Sequence, residues 1–121
     1  MKTLVLGLVA SLALLGASTL AAQTQKITGE VMDSSCAKMG SHEAMEKQHN
    51  MPAGAASDKA CTLACVKNGA KLVVYDSSTK TAYELSDQKQ AEKFAGEKVT
   101  VTGTVDRAND TIQVAKIAKA S

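Results

Sequence analysis

The sequence predicts a mainly β domain with a helical insertion, and three observations carry that prediction. Short apolar–polar alternations recur along residues 26–117, turn-forming clusters separate them, and a stretch rich in Cys, His and Met interrupts them once. The first alternation sets Ile27, Gly29 and Val31 against Thr28 and Glu30, a half-buried strand ending near Asp33. Residues 34–57 read differently, rich in Met, His, Ala and charge, with Asn50-Met51-Pro52-Ala53-Gly54 as a breaker. Asp58 is the expected N-cap of a helix over 59–68, and Gly69 is its stop. A compact apolar strand at 71–76 and a partner at 81–85 flank the turn Ser77-Ser78-Thr79-Lys80.

A second helix opens at Ser86 or Asp87, contains Ala91, Phe94 and Ala95, and stops at Gly96. Asp87 with Gln90 fits a capping box. Val99, Val101 and Val105 then alternate against Thr100, Thr102 and Thr104, the clearest strand in the chain. Gly103 falls on the inner side, where a bend or bulge is expected. After Arg107-Ala108-Asn109-Asp110, Ile112 and Val114 continue a last strand whose alternation slips at Ala115-Lys116-Ile117. Five antiparallel strands, a helix between the third and fourth, and a Cys-bearing helical insertion between the first and second match a five-stranded OB-like Greek-key barrel. Closure would remove the edges that a small sheet cannot otherwise protect. An open α+β sheet packed by one helix is the alternative architecture.

The composition bounds the function. Of 121 residues 45% are apolar, yet the aromatics are two Tyr and one Phe. Seven of the ten leucines fall in the first twenty residues. Met1-Lys2, the apolar stretch from Leu4 to Leu15 and the small residues Gly16 to Ala22 form a secretory-signal pattern. A leader over residues 1–21 is expected, with cleavage near Ala22 and a single OB-like domain over 22–121 carrying the insertion at 34–70. Its apolar stretch is too short for a membrane span, so no membrane contact is expected after its removal. Export to the periplasm or beyond places the cysteines where disulfides persist. The formal charge of +2 drops by one with Lys2, and the remaining charges are interspersed. Without a basic stripe or stacking aromatics, nucleic-acid binding is not expected. The partner classes left are a protein and a metal ion.

The chemistry concentrates between Met32 and Cys65, which holds all three cysteines, both histidines and four of the five methionines. Cys61 and Cys65 are spaced i, i+4, so on a helix their side chains share one face about 6 Å apart. Two thiolates so spaced can chelate one soft ion, and Cys36 with His42 would complete a Cys₃His set suited to zinc. Met39, His42, Met45 and His49 step by three, three and four, so one helical face could carry them toward Cu(I). Plainer readings compete. Helical methionines fill core gaps, and histidines among Glu43, Glu46, Lys47 and Gln48 read as solvated. One disulfide, Cys36 with Cys61 or Cys65, would staple a small domain by about 3 kcal/mol and leave one thiol over. A thiol-disulfide protein is a third reading, although the spacing is C-x-x-x-C rather than C-x-x-C. No catalytic triad, carboxylate pair or phosphate loop is present in the sequence, and no enzyme is expected.

The stretches Gly29-Glu30-Val31-Met32-Asp33-Ser34-Ser35-Cys36 with His42, Cys61-Thr62-Leu63-Ala64-Cys65-Val66-Lys67-Asn68-Gly69-Ala70-Lys71, and Val99-Thr100-Val101-Thr102-Gly103-Thr104-Val105 carry a family resemblance. In them the chain resembles a group of small exported bacterial proteins of unknown function with an OB-fold-like domain. The resemblance covers nearly the whole chain after the leader. It implies that Cys36, His42, Cys61 and Cys65 belong together in space, and it implies no activity. His49 and the methionines are not part of the shared pattern.

Overall fold

A computed structural model describes residues 23–40, 42–50, 52 and 54–120, the side chains of His49 and Ala55 excepted. The expected leader over 1–21 and Met51 lie outside the described residues. Five strands, β1 (Thr24–Asp33), β2 (Leu72–Asp76), β3 (Thr81–Leu85), β4 (Lys98–Asp106) and β5 (Thr111–Lys119), close into a barrel in the order β1-β2-β3-β5-β4. Among the described residues four helices join them: α1 (Ser34–Met39), α2 (His42–His49) and α3 (Ala55–Lys67) between β1 and β2, and α4 (Gln88–Glu92) between β3 and β4.

Closure depends on β1, which is long enough to serve two neighbours. Its first part pairs with β4 from Thr24↔Thr104 to Glu30↔Lys98, and its last part pairs with β2 from Glu30↔Tyr75 to Asp33↔Leu72. The remaining seam is a short parallel contact, Glu84↔Thr111 and Leu85↔Ile112. One residue breaks the β4–β5 register. Thr102 pairs with Lys116 and Gly103 with Val114, so Ala115 is extra and the alternation of β5 slips there. Gly103 has no room for a side chain, because a Cβ on it would lie 2.1 Å from the Gln113 carbonyl oxygen.

Two apolar layers result. The interior is filled by residues such as Val31, Leu72, Val74, Leu85, Val101 and Ile112. A second cluster, Met32, Cys36, Val73 and Tyr75, lies on the other side of β1 and β2 under the insertion. Successive strand residues point to opposite faces, so β2 is buried on both, which explains its unbroken apolar run from Leu72 to Tyr75.

The helices differ in places from their sequence expectation. α3 starts at Ala55 after Gly54, so Asp58 lies in its first turn rather than at its N-cap. Ala55-Ala56-Ser57 lacks apolar periodicity but contains strong helix formers. Asp87 does cap α4, accepting from Gln90 N at 2.9 Å, yet the helix ends at Glu92 and leaves Phe94 and Ala95 in the following turn. Gln88 fixes α4 to the barrel: its amide accepts from Leu72 N at 2.8 Å and donates to the Leu72 and Leu85 carbonyls at 2.9 and 2.7 Å. No helix among the described residues is long and apolar enough to cross a membrane.

Candidate functional site

The site forms where β1 runs into the insertion. Asp33 ends the strand and caps the helix that follows. Its Oδ2 accepts from Ser35 N and Cys36 N, both at 3.0 Å, which satisfies two of the donors a helix start leaves open. This cap places Cys36 in the first turn of α1, fully buried against Met32 and Val73. α1 then ends at Gly40, whose φ of 102° is a left-handed C-cap. The break separates Met39 from His42, so the single helical face expected for Met39, His42, Met45 and His49 does not exist. Met39 is exposed. Met45 packs as a half-buried thioether against the outer cluster, the gap-filling role of methionine. The His49 side chain lies outside the described residues.

His42, expected among solvated residues, is instead 4% exposed. Its Nδ1 is hydrogen-bonded to Glu30 Oε1, with Asp58 Oδ1 4.0 Å away, and its Nε2 meets Thr62 Oγ1 at 3.0 Å. Burial works to lower the pKa of the ring. The hydrogen bond to Glu30 and the charges of Glu30, Asp58 and Asp33 outweigh it and raise the value above that of an ordinary histidine. Glu46 joins this acidic side, and its hydrogen bond with Asp58, burial and the Asp58 charge raise its own pKa. Glu30 and Asp58 also line an open cleft of about 520 Å³, shared with Met32, Tyr75 and Lys98.

The thiols converge on the other side. Cys36 Sγ and Cys61 Sγ are 3.9 Å apart, and all three cysteines are free among the described residues. Burial, and after it the neighbouring Asp33, pushes the Cys36 thiol far above the ordinary range. Cys65 is pushed up to about 11 by burial and by the Asp33 charge. Both are therefore protonated at neutral pH and poor nucleophiles. Asp33 Oδ1 is buried with no N–H or O–H donor against it among the described residues, and the Asp33 carboxylate acts on the Cys36 and Cys65 thiols through both its charge and their weak hydrogen bonds to it.

Among the described residues, two trios of potential ligand atoms lie within 4.8 Å of one another: Asp33, Cys36 and His42, and Glu30, His42 and Asp58. His42 belongs to both, and Cys61 and Cys65 to neither. Asp33, Glu30 and Thr62 are the site residues that sequence reasoning missed. Asp33 carried a detectable signal, since an Asp three residues before a buried Cys at a strand end is an N-cap pattern, but nothing in the pattern distinguishes a cap from a ligand. No protein-family model matches the chain, and neither a curated protein nor a solved structure is significantly similar to it.

Proposed function

We propose that the chain is an exported OB-like module that binds one soft metal ion, Cu(I) or zinc, in its insertion through Cys36, Cys61, Cys65 and His42. The observation that carries this reading is the 3.9 Å approach of two unbridged sulfurs beside a buried histidine. Two thiolates bonded to one tetrahedral zinc at about 2.3 Å sit about 3.8 Å apart, so the pair is already near a chelating separation. The strand order, the β1–β4 closure and the parallel β3–β5 seam support the OB-like reading of the barrel. The leader pattern supports export, and the Cys-bearing stretches support kinship with the exported group they resemble.

A structural staple is the second reading, favoured by the same proximity. A Cys36–Cys61 bridge spans 25 positions and would stabilise by about 3 kcal/mol in the chain-entropy model. The thiol-disulfide reading has less support, because thiols held protonated by burial and by Asp33 attack slowly.

Protein purified without added metal and analysed for its elements is expected to carry one equivalent of ion. Thiol counting after denaturation with a chelator, and without reductant, is expected to find three thiols. One thiol and no ion would establish the staple and refute the metal site.

A further inference from the structure

We infer that Asp33, rather than Cys65, is the fourth ligand of the same site beside Cys36, Cys61 and His42, and that the ion it selects is therefore a zinc-class divalent cation rather than Cu(I). The inference rests on the metal-site reading above and goes on to identify the ion. It starts from a buried carboxylate with work for only one oxygen. Asp33 is fully buried, and its Oδ2 serves the start of α1, but its Oδ1 meets no N–H or O–H donor among the described residues, and the carboxylate's remaining hydrogen-bond neighbours are the weakly donating thiols of Cys36 and Cys65. A buried carboxylate is ordinarily paired, hydrogen-bonded or bound to a metal. Capping explains one oxygen and leaves the other to be satisfied.

The surroundings of that carboxylate are ligands. Asp33, Cys36 and His42 present donor atoms within 4.8 Å of one another, and Cys61 Sγ lies 3.9 Å from Cys36 Sγ. Oxygen, nitrogen and two sulfurs form the four-donor set that tetrahedral zinc accepts. Cu(I) favours thiolate and thioether and gains little from a carboxylate.

Charge leads to the same ion. Each thiol that binds gives up its proton to solvent as the metal–sulfur bond forms. Asp33 and two thiolates then bring three negative charges, of which a divalent cation cancels two and a monovalent one only one. Uncompensated charge in a buried site is costly.

The histidine is already supported as a metal ligand would be. Glu30 accepts from Nδ1, the outer-shell carboxylate–histidine arrangement that fixes the ring and leaves Nε2 as the ligating atom. Thr62 Oγ1 now occupies Nε2 and would give way to the ion.

The test uses Asp33→Asn, because asparagine caps a helix as well as aspartate and preserves α1. Metal-free wild type and variant are titrated with Zn²⁺ against a chromophoric chelator and, separately, with Cu(I) against a Cu(I) chelator. Circular dichroism and melting of the metal-free forms confirm that the cap is intact. Wild type is expected to bind one Zn²⁺. The variant is expected to bind it more weakly by over the about 10–100-fold that loss of an outer-shell partner costs, with Cu(I) affinity unchanged. Equal Zn²⁺ affinity in the two proteins would overturn the inference and leave Asp33 as a cap alone. Binding of Cu(I) but not Zn²⁺ by wild type would also overturn it while sparing the metal site, whereas no binding of either ion would refute the site itself. If the variant does not fold, the carboxyl ¹³C resonance of Asp33 in wild type decides: a shift on Zn²⁺ addition supports ligation, and a resonance that stays in place refutes it.

Discussion

Replacing His42 with alanine in the metal-free, fully reduced protein should be strongly destabilising. The ring is 4% exposed and joins Glu30 on β1 to Thr62 on α3, so its removal uncouples strand from helix. A hydrogen bond to a charged group contributes about 1.5–3 kcal/mol and a neutral one about 1 kcal/mol. Glu30 is 28% exposed and can be rehydrated, which places the expected loss at the lower end of that combined range, about 2.5–3 kcal/mol. For a domain of this size that corresponds to a fall in Tm of roughly 10–24 °C. The pH dependence has a definite sign. The folded-state pKa of His42 is raised above its unfolded value near 6.5, so the charged ring's contribution is fully present below about pH 6.5. It is lost as pH rises through the higher folded value. Urea denaturation at pH 5.5 and pH 9, with chelator and reductant present, should therefore give a wild-type-to-variant gap that is wider at pH 5.5. A gap below about 0.5 kcal/mol, the range of an ordinary surface change, or one that widens toward pH 9, would refute this assignment.

Other substitutions probe the frame and the site separately. Gly103→Val should cost about 3 kcal/mol or more, because its Cβ would lie 2.1 Å from the Gln113 carbonyl oxygen and the β4–β5 ladder must part; an unchanged Tm would count against the bulge. Gln88→Ala should cost about 2–3 kcal/mol by leaving a backbone donor and two carbonyls of β2 and β3 without their partner, measured by chemical denaturation. Cys36→Ser should change metal-free stability modestly, since the hydroxyl can turn to Asp33, yet abolish the Zn²⁺-induced rise in Tm. That rise should reach about 2.7 kcal/mol of stabilisation in wild type at a hundredfold excess over Kd.

The barrel was the most legible part of the chain because its signals are local. Val99, Val101 and Val105 alternate in sequence and in space, and the slip at Ala115 was visible before its structural cause. The insertion was less legible because its organisation depends on partners distant in sequence. Met39 and His42 fit one helical period, but Gly40 ends the first helix between them. His42 sits among polar neighbours and so read as solvated. It is buried because Glu30 comes from a strand twelve residues earlier and Thr62 from a helix twenty residues later. Asp33 was overlooked for a different reason: a cap and a ligand use the same residue type, and only the second oxygen, with no N–H or O–H donor against it among the described residues, separates them.

The second apolar layer also bears on the neutrality of the thiols. The barrel closes through strand pairing on all sides, and the insertion adds that layer on β1 and β2. Cys36 belongs to that layer, where a protonated thiol packs as a small hydrophobe. The same burial that suits it to packing disfavours its thiolate, so only a bound cation would make ionisation worthwhile there. Packing and ion binding thus place opposite demands on one sulfur. Their balance predicts that Zn²⁺ loading releases protons to solvent, a quantity that calorimetry in buffers of different ionisation enthalpy reads directly. Zinc binding without proton release would mean that Cys36 is a core residue and nothing more.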